Sequence, residues 1–231
     1  MSQKHILVIG AGIVGLSTAY YLQSSNCKVT LVDYQEPGSG TSRGHASMIA
    51  NYGVPGINQT QVWYQLPKYL FSSNSPIAIK WSNIMNLAPW LIKFLHNCNN
   101  SSMYLTAQHT SALLKKSLAD YKELLADIEA SQFLTHQGVL YVWTDNKQQP
   151  TQKQIDIRNL HGVEQIKLTK LEINELEPNL SSNIQGGWHF PKAHHVLDPD
   201  VILKKLFHSF SNKGGAFQKD EIHSVENINE K

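Results

Sequence analysis

His5-Ile6-Leu7-Val8-Ile9-Gly10-Ala11-Gly12-Ile13-Val14-Gly15 decides the fold class of this 231-residue chain. The first five residues are an apolar, β-branched run of the kind carried by a parallel strand buried on both faces. Gly10, Gly12 and Gly15 then match G-x-G-x-x-G. Leu16 to Gln23 predicts a helix, with Ala19 small enough for close packing on the strand. Lys28 to Val32 predicts a second strand, and Asp33 stands at its end.

In that setting each residue has a mechanical purpose. Gly10 permits a tight turn, Gly12 lets the backbone approach a pyrophosphate, and Gly15 brings helix and strand together. The helix N-terminus offers free N–H groups and a partial positive charge to phosphates. The backbone from Gly10 through Ala11, Gly12, Ile13 and Val14 to Gly15 is therefore the expected diphosphate cradle. Asp33, with Tyr34 beside it, is expected at the adenosine ribose. An acidic residue about 20 positions after the glycines is the context this motif demands, and it disfavours a glycine turn that binds no nucleotide. The motif leaves FAD and NAD(P) open, because both place ADP in the same way; Asp33 disfavours NADP, whose 2′-phosphate it would repel.

Composition narrows the class further. Hydrophobic residues make up 41% and charged residues 16%, the balance of an ordinary globular protein. A net charge of +2, from 20 Lys+Arg and 18 Asp+Glu, excludes a polycationic nucleic-acid binder. Cys27 and Cys98 share no metal-type spacing, which disfavours a disulfide scaffold and a zinc module. No run approaches the roughly 18 apolar residues of a membrane span, and Ile6 to Leu16 lacks a secretory cleavage site, so the reading is cytoplasmic. Arg43 and Arg158 are the only arginines, which limits where a bidentate carboxylate clamp could come from.

Pro37 to Gly44 is rich in glycine and small hydroxyl residues; Thr41, Ser42 and Arg43 are expected to contact the cofactor's phosphates. From here the sequence resembles the FAD-dependent D-amino-acid oxidase and dehydrogenase superfamily, most of all the small subunit of bacterial D-amino-acid dehydrogenase. The matching text is Val54-Pro55-Gly56, Leu66 to Leu70, Ser75 to Trp81, Leu87 to Leu95, Gly186-Gly187-Trp188 and Asp198-Pro199. Where the family usually has Asn-Ala-Gly, this chain has His45-Ala46-Ser47.

The resemblance implies an α/β fold: a Rossmann-like FAD-binding domain with an α+β substrate domain, truncated at its C-terminus. The FAD-binding part is expected at 1–48 and 196–231, and the substrate-domain portion at 49–195. FAD is the implied cofactor, a D-amino acid the implied substrate, and the backbone near Ile222 the implied adenine contact. In the resembled dehydrogenases electrons go to the respiratory chain at the inner membrane, so peripheral association there is open to this chain; the family's later part supplies further strands and the substrate-holding arginine, which a complementary C-terminal chain would bring in the split-enzyme alternative. No catalytic residue is assigned. The alternatives are a non-catalytic remnant, half of a split enzyme, or an NAD-binding dehydrogenase.

Along the rest of the chain, Pro76 and Pro89 are expected to divide 54–102 into short helices, whose aromatic residues could line a pocket. Met103 to Ala130 predicts one long helix, from Leu114, Leu118, Tyr121, Leu125 and Ile128 at helical spacing. Within Phe133 to Thr144, Val139 to Trp143 predicts a strand after Gly138, and Ile184 to Phe190 predicts another, broken at Gly186-Gly187. Asp198 is expected to cap a helix that ends at Gly214-Gly215, followed by a strand over Ala216 to Val225. His189, His194 and His195 match no zinc spacing; they are read as a polar turn, and no metal site is expected.

Overall fold

The structure is a computed structural model that describes residues 3–45, 47–71 and 81–226. Ala46, Pro76, the Ser75 to Lys80 match and the chain end at 227–231 lie outside the described residues. The element order is β1 (His5–Ile9), α1 (Ile13–Ser24), β2 (Lys28–Asp33), β3 (Met48–Ile49), α2 (Val62–Phe71), α3 (Ile84–His96) and α4 (Asn100–Asp127). It continues with β4 (Leu134–Thr135), β5 (Val139–Trp143), α5 (Gln152–Leu160), β6 (Ile166–Leu168), α6 (Lys170–Leu176), β7 (Gly186–Phe190), β8 (His194–Val196), α7 (Pro199–Asn212) and β9 (Ala216–Lys219).

The chain divides into two compact units. The first comprises Met1–Ile49, Ala119–His136 and His194–Lys231. Its parallel sheet has the order β1-β2-β9, with His5 opposite Lys28 and Thr30 opposite Ala216. Leu16 and Ala19 of α1, Val29 and Leu31 of β2, and Ile202, Leu206 and Phe210 of α7 are buried together. The end of α4 and the residue after it join them through Leu124, Leu125 and Ile128, so 119–136 packs with this unit. A smaller antiparallel sheet, β3-β8-β4, completes the unit. Asp198 caps α7 by accepting from the Val201 amide at 3.1 Å, with Pro199 in the first turn.

The second unit comprises Ala50–Leu118 and Gln137–Ala193, with the antiparallel sheet β5-β7-β6. Thr151 and Thr169 open α5 and α6 with reciprocal capping boxes to Gln154 and Glu172. The Thr169 amide and hydroxyl hold the Glu172 carboxyl below its ordinary range. Trp143, Trp188, Phe190 and Ala193 form one core cluster; Val54, Met103, Ala107 and Ile157 form another.

Several expectations are corrected. Gly186 and Gly187 do not break β7 but lie inside it, because Trp143 and the Tyr141 carbonyl leave no room for side chains: a Cβ would meet Trp143 at 2.8 Å and the carbonyl at 2.9 Å. Pro89 does not divide its segment either; α3 runs 13 residues through it, giving up one backbone hydrogen bond. His189 lies in β7, and His194 and His195 lie in β8, where cross-strand pairing makes them extended backbone rather than a turn. The strand after α7 stops at Lys219. β1 is not buried on both faces: it forms the sheet edge, with Leu7 and Ile9 about half exposed.

Candidate dinucleotide site

The site begins where β1 hands over to α1. Gly10 adopts φ +99°, a left-handed value that favours glycine, and its amide donates to the Val32 carbonyl at 2.8 Å. A Cβ on Gly15 would lie 1.7 Å from the Gly10 carbonyl oxygen, so no side chain is tolerated there. A Cβ on Gly12 would approach Ser42 Oγ at 3.1 Å. The three glycines thus have three separate steric causes: a turn, a helix-to-turn contact and a close loop.

The amides of the turn divide into two sets. The Ala11 amide donates to Asp33 Oδ2 at 2.7 Å, and the Ile13 amide donates to Ser42 Oγ at 2.9 Å. Those of Gly12, Val14 and Gly15 donate to no group among the described residues. Three free N–H groups at the start of a twelve-residue helix are an anion site by geometry and by dipole.

Beside them lies a cavity of about 240 Å³ lined by Ala11, Gly12, Asp33, Tyr34, Thr41 and Ser42, among others. Asp33 is partly exposed, and its Oδ1 also accepts from the Gln35 amide at 2.9 Å. Arg43 stands elsewhere: its Nε pairs with Asp200 Oδ2 of α7 at 3.2 Å on the surface, a contact weak enough to exchange for a phosphate. Ile222 lies in the exposed segment after β9, two residues beyond Asp220, whose amide donates to the Asp33 carbonyl at 2.9 Å. The structure therefore gathers Ala11, Gly12, Asp33, Tyr34, Thr41 and Ser42 at one cleft beside the start of α1, with Arg43 paired to α7.

Gly38 was not foreseen as a support. It adopts φ +77°, donates its amide to the Ala11 carbonyl at 2.8 Å, and a Cβ there would meet Leu203 at 3.0 Å. The Pro37-Gly38 pair was the readable signal, since that dipeptide marks a defined turn. Ser47, in place of the family's glycine, adopts φ +59°. It is held there by its amide on His45 Nδ1 at 2.9 Å and by its carbonyl, which accepts from the Val196 amide at 2.8 Å.

In the second unit a larger cavity, about 450 Å³, is lined by Tyr52, Leu114, Lys115, His161 and Lys192 among others. Arg158 is partly buried in this unit: its guanidinium lies 5.2 Å over the Phe190 ring, Nε donates to the Tyr52 carbonyl at 3.4 Å, and Nη1 is buried with no hydrogen-bond partner among the described residues. Burial lowers the Arg158 pKa, opposed by the nearby Tyr141 and Tyr52 phenols. Burial also raises Tyr52, opposed by Arg158. Among the described residues no group of three or more His, Cys, Asp or Glu comes together as metal ligands. No helix among them is long and apolar enough to cross a membrane.

A parallel β-α-β unit with free helix-terminal amides and an acid closing its second strand defines a dinucleotide-binding protein of the Rossmann type. The family model described as DAO, FAD dependent oxidoreductase, matches residues 5–231, and the chain belongs to that family. It is 27% identical over 206 residues to a D-amino-acid oxidase of Bradyrhizobium diazoefficiens, covering 88% of this chain and 49% of that one. It is 26% identical over 223 residues to a D-amino acid dehydrogenase of Helicobacter pylori, covering 95% and 52%. The crystal structure of L-proline dehydrogenase from P. horikoshii superposes with a TM-score of 0.61 at 19% identity, covering 99% of this chain and 47% of that one. The chain spans about half the length of the curated relatives it matches.

Proposed function

We propose that this chain is the dinucleotide-binding portion of an FAD-dependent dehydrogenase that oxidises D-amino acids, with the ADP diphosphate on the Gly12, Val14 and Gly15 amides. The observation that carries the reading is those three unpartnered N–H groups at the start of α1, next to the cavity that Gly12 and Asp33 line. The residues present fit the group: Gly10, Gly12 and Gly15 put no side chain in the way of a diphosphate, and Asp33 keeps acceptor capacity for ribose hydroxyls. FAD, when bound, supplies the acceptor for the hydride lost from the substrate α-carbon, leaving an imino acid that hydrolyses to a keto acid and ammonia. The residues of this chain bind and orient the cofactor. Ser42 fixes the loop over the helix start, and Gly38 ties that loop to Ala11. Tyr34 and Thr41 border the ribose side, Arg43 exchanges Asp200 for phosphate, and the backbone near Ile222 meets adenine.

The division of labour is FAD binding by 1–48 and 196–231 and a substrate-side portion in 49–195. The whole protein takes a D-amino acid and works at the inner-membrane surface from the cytoplasmic side. A second reading, one half of a split enzyme completed by a complementary C-terminal chain, is favoured by β1: its outer edge is unpaired among the described residues and carries exposed Leu7 and Ile9.

The test is a visible absorption spectrum with FAD titration of the purified protein. Flavin uptake that fails in Gly12→Val supports the reading; absence of flavin uptake under any condition overturns it. Tight NAD binding without flavin uptake would reassign the turn to a nicotinamide dehydrogenase.

A further inference from the structure

We propose that the first unit carries a second anion site, separate from the dinucleotide turn: a cavity of about 400 Å³, lined by Lys122, Leu125, Ser131, Leu134, His136 and His194, that takes a phosphate group. The sheet register builds it. β4 pairs antiparallel with β8, Leu134 opposite Val196 and Thr135 opposite His195, so the next step brings His136 level with His194. Side chains alternate across a strand, so these two histidines share the face of Leu134 and Val196, which packs on the core. There the imidazoles lie face to face, with centroids 4.3 Å apart and planes 6° from parallel. His194 is only 6% exposed, whereas His136 reaches solvent. On α4, Lys122 stands three residues before the buried Leu125, so the helix brings a cation to the same cavity.

The lining chemistry selects the ligand. Every polar lining side chain can donate: an ammonium, a hydroxyl and two imidazoles, each imidazole with at least one N–H in any protonation state. Among the described residues no Asp or Glu lines the cavity, and Lys122 has no ion-pair or hydrogen-bond partner. The larger cavity of the second unit differs, because Glu164 there already pairs with Lys192 at 3.1 Å. A metal ion does not suit the two histidines. Rings in parallel planes cannot both aim a nitrogen in-plane at one ion, and among the described residues no third ligand joins them. An anion rich in acceptors does suit them, and a phosphate group offers more oxygens to converging donors than a carboxylate does. Leu125 and Leu134 add apolar wall, and the volume leaves room for the organic body of an ester.

The test is an NMR titration of the full chain at constant pH and ionic strength. It follows the ring resonances of His136 and His194, assigned through His136→Gln and His194→Gln. Inorganic phosphate, phenyl phosphate and acetate are added separately. Both phosphates should move the two rings' resonances in the wild type and equally in Gly12→Val, which separates this site from the dinucleotide turn. Lys122→Gln and His136→Gln, both at exposed positions, should each weaken phosphate binding about tenfold and leave circular dichroism and FAD titration unchanged. Tighter binding of phenyl phosphate would assign an ester whose body lies on Leu125 and Leu134; equal binding would assign free phosphate. Acetate that binds as tightly as phosphate would overturn the assignment to a phosphate group. Resonances that stay still, or full affinity in both variants, would overturn the site while leaving the flavin reading standing. Phosphate binding lost in Gly12→Val would move the anion to the dinucleotide turn and overturn the inference.

Discussion

The two main sheets have three strands each and a buried central strand, yet they end differently at their edges. In β5-β7-β6 the central β7 buries Gly186, Gly187, Trp188 and Phe190, while the edge strand β6 presents Lys167 to solvent. An antiparallel sheet can leave one face wet, and a lysine on an edge strand discourages further pairing. In β1-β2-β9 the central β2 buries Val29, Leu31 and Val32, but the edge strand β1 exposes Leu7 and Ile9. Lys28 donates to the Lys4 carbonyl and Gly10 to the Val32 carbonyl, so Lys4, Ile6, Val8 and Gly10 point their backbone groups at β2. The alternate residues His5, Leu7 and Ile9 therefore aim theirs at the open edge. Both sheets expose apolar residues on edge strands, Ile166 and Tyr141 in one and Leu7 and Ile9 in the other; the difference is the lysine inside β6, which β1 lacks.

Mutations can break this comparison, from the largest effect downward. Gly15→Val should be the most damaging, because its Cβ would collide with the Gly10 carbonyl; a loss of about 4 kcal/mol or more in urea unfolding is expected, with no flavin uptake. Trp188→Ala, in the other sheet, should cost about 3–5 kcal/mol by cavity formation in the Trp143–Phe190 cluster. Retained FAD affinity in that variant would show that the site belongs to the first unit alone. Asp33→Asn should weaken FAD binding roughly ten- to a hundredfold, read by fluorescence titration, since one charged acceptor is lost at the ribose. An unchanged affinity would remove Asp33 from the site.

Smaller effects test positions outside the core. Ser47→Gly should raise stability by about 0.5 kcal/mol, because φ +59° costs serine but not glycine; a fall in melting temperature would mean that the Ser47 hydroxyl bond to the His45 carbonyl outweighs the backbone gain. Leu7→Lys should change stability by no more than about 0.5 kcal/mol, although it puts a charge into the most apolar run of the chain. A loss above 2 kcal/mol would show that β1 is covered, and the contrast between the two sheets would disappear.

How much was legible depends on how local each cause is. The dinucleotide turn was readable almost residue by residue, because Gly10, Gly15 and the α1 N-terminus lie within a few positions of one another. The Asp198 cap and the long α4 were readable for the same reason, since capping and helical spacing act within one or two turns. Short strands were not. β3, β6 and β8 have two or three residues each and depend on partners far along the chain. Nor could the glycines of β7 be read as strand residues, because the atoms that exclude their side chains come from Trp143, Tyr141 and Ile173.

By itself the sequence determined the β-α-β start, its glycine spacing, its terminal acid and the membership of a flavoenzyme family that these imply. Tertiary structure alone decided that Arg43 faces Asp200, that Arg158 turns inward over Phe190, and that Leu7 and Ile9 face outward. Backbone conformation and capping depend on neighbours in the chain, whereas burial and charge pairing depend on which distant surfaces meet.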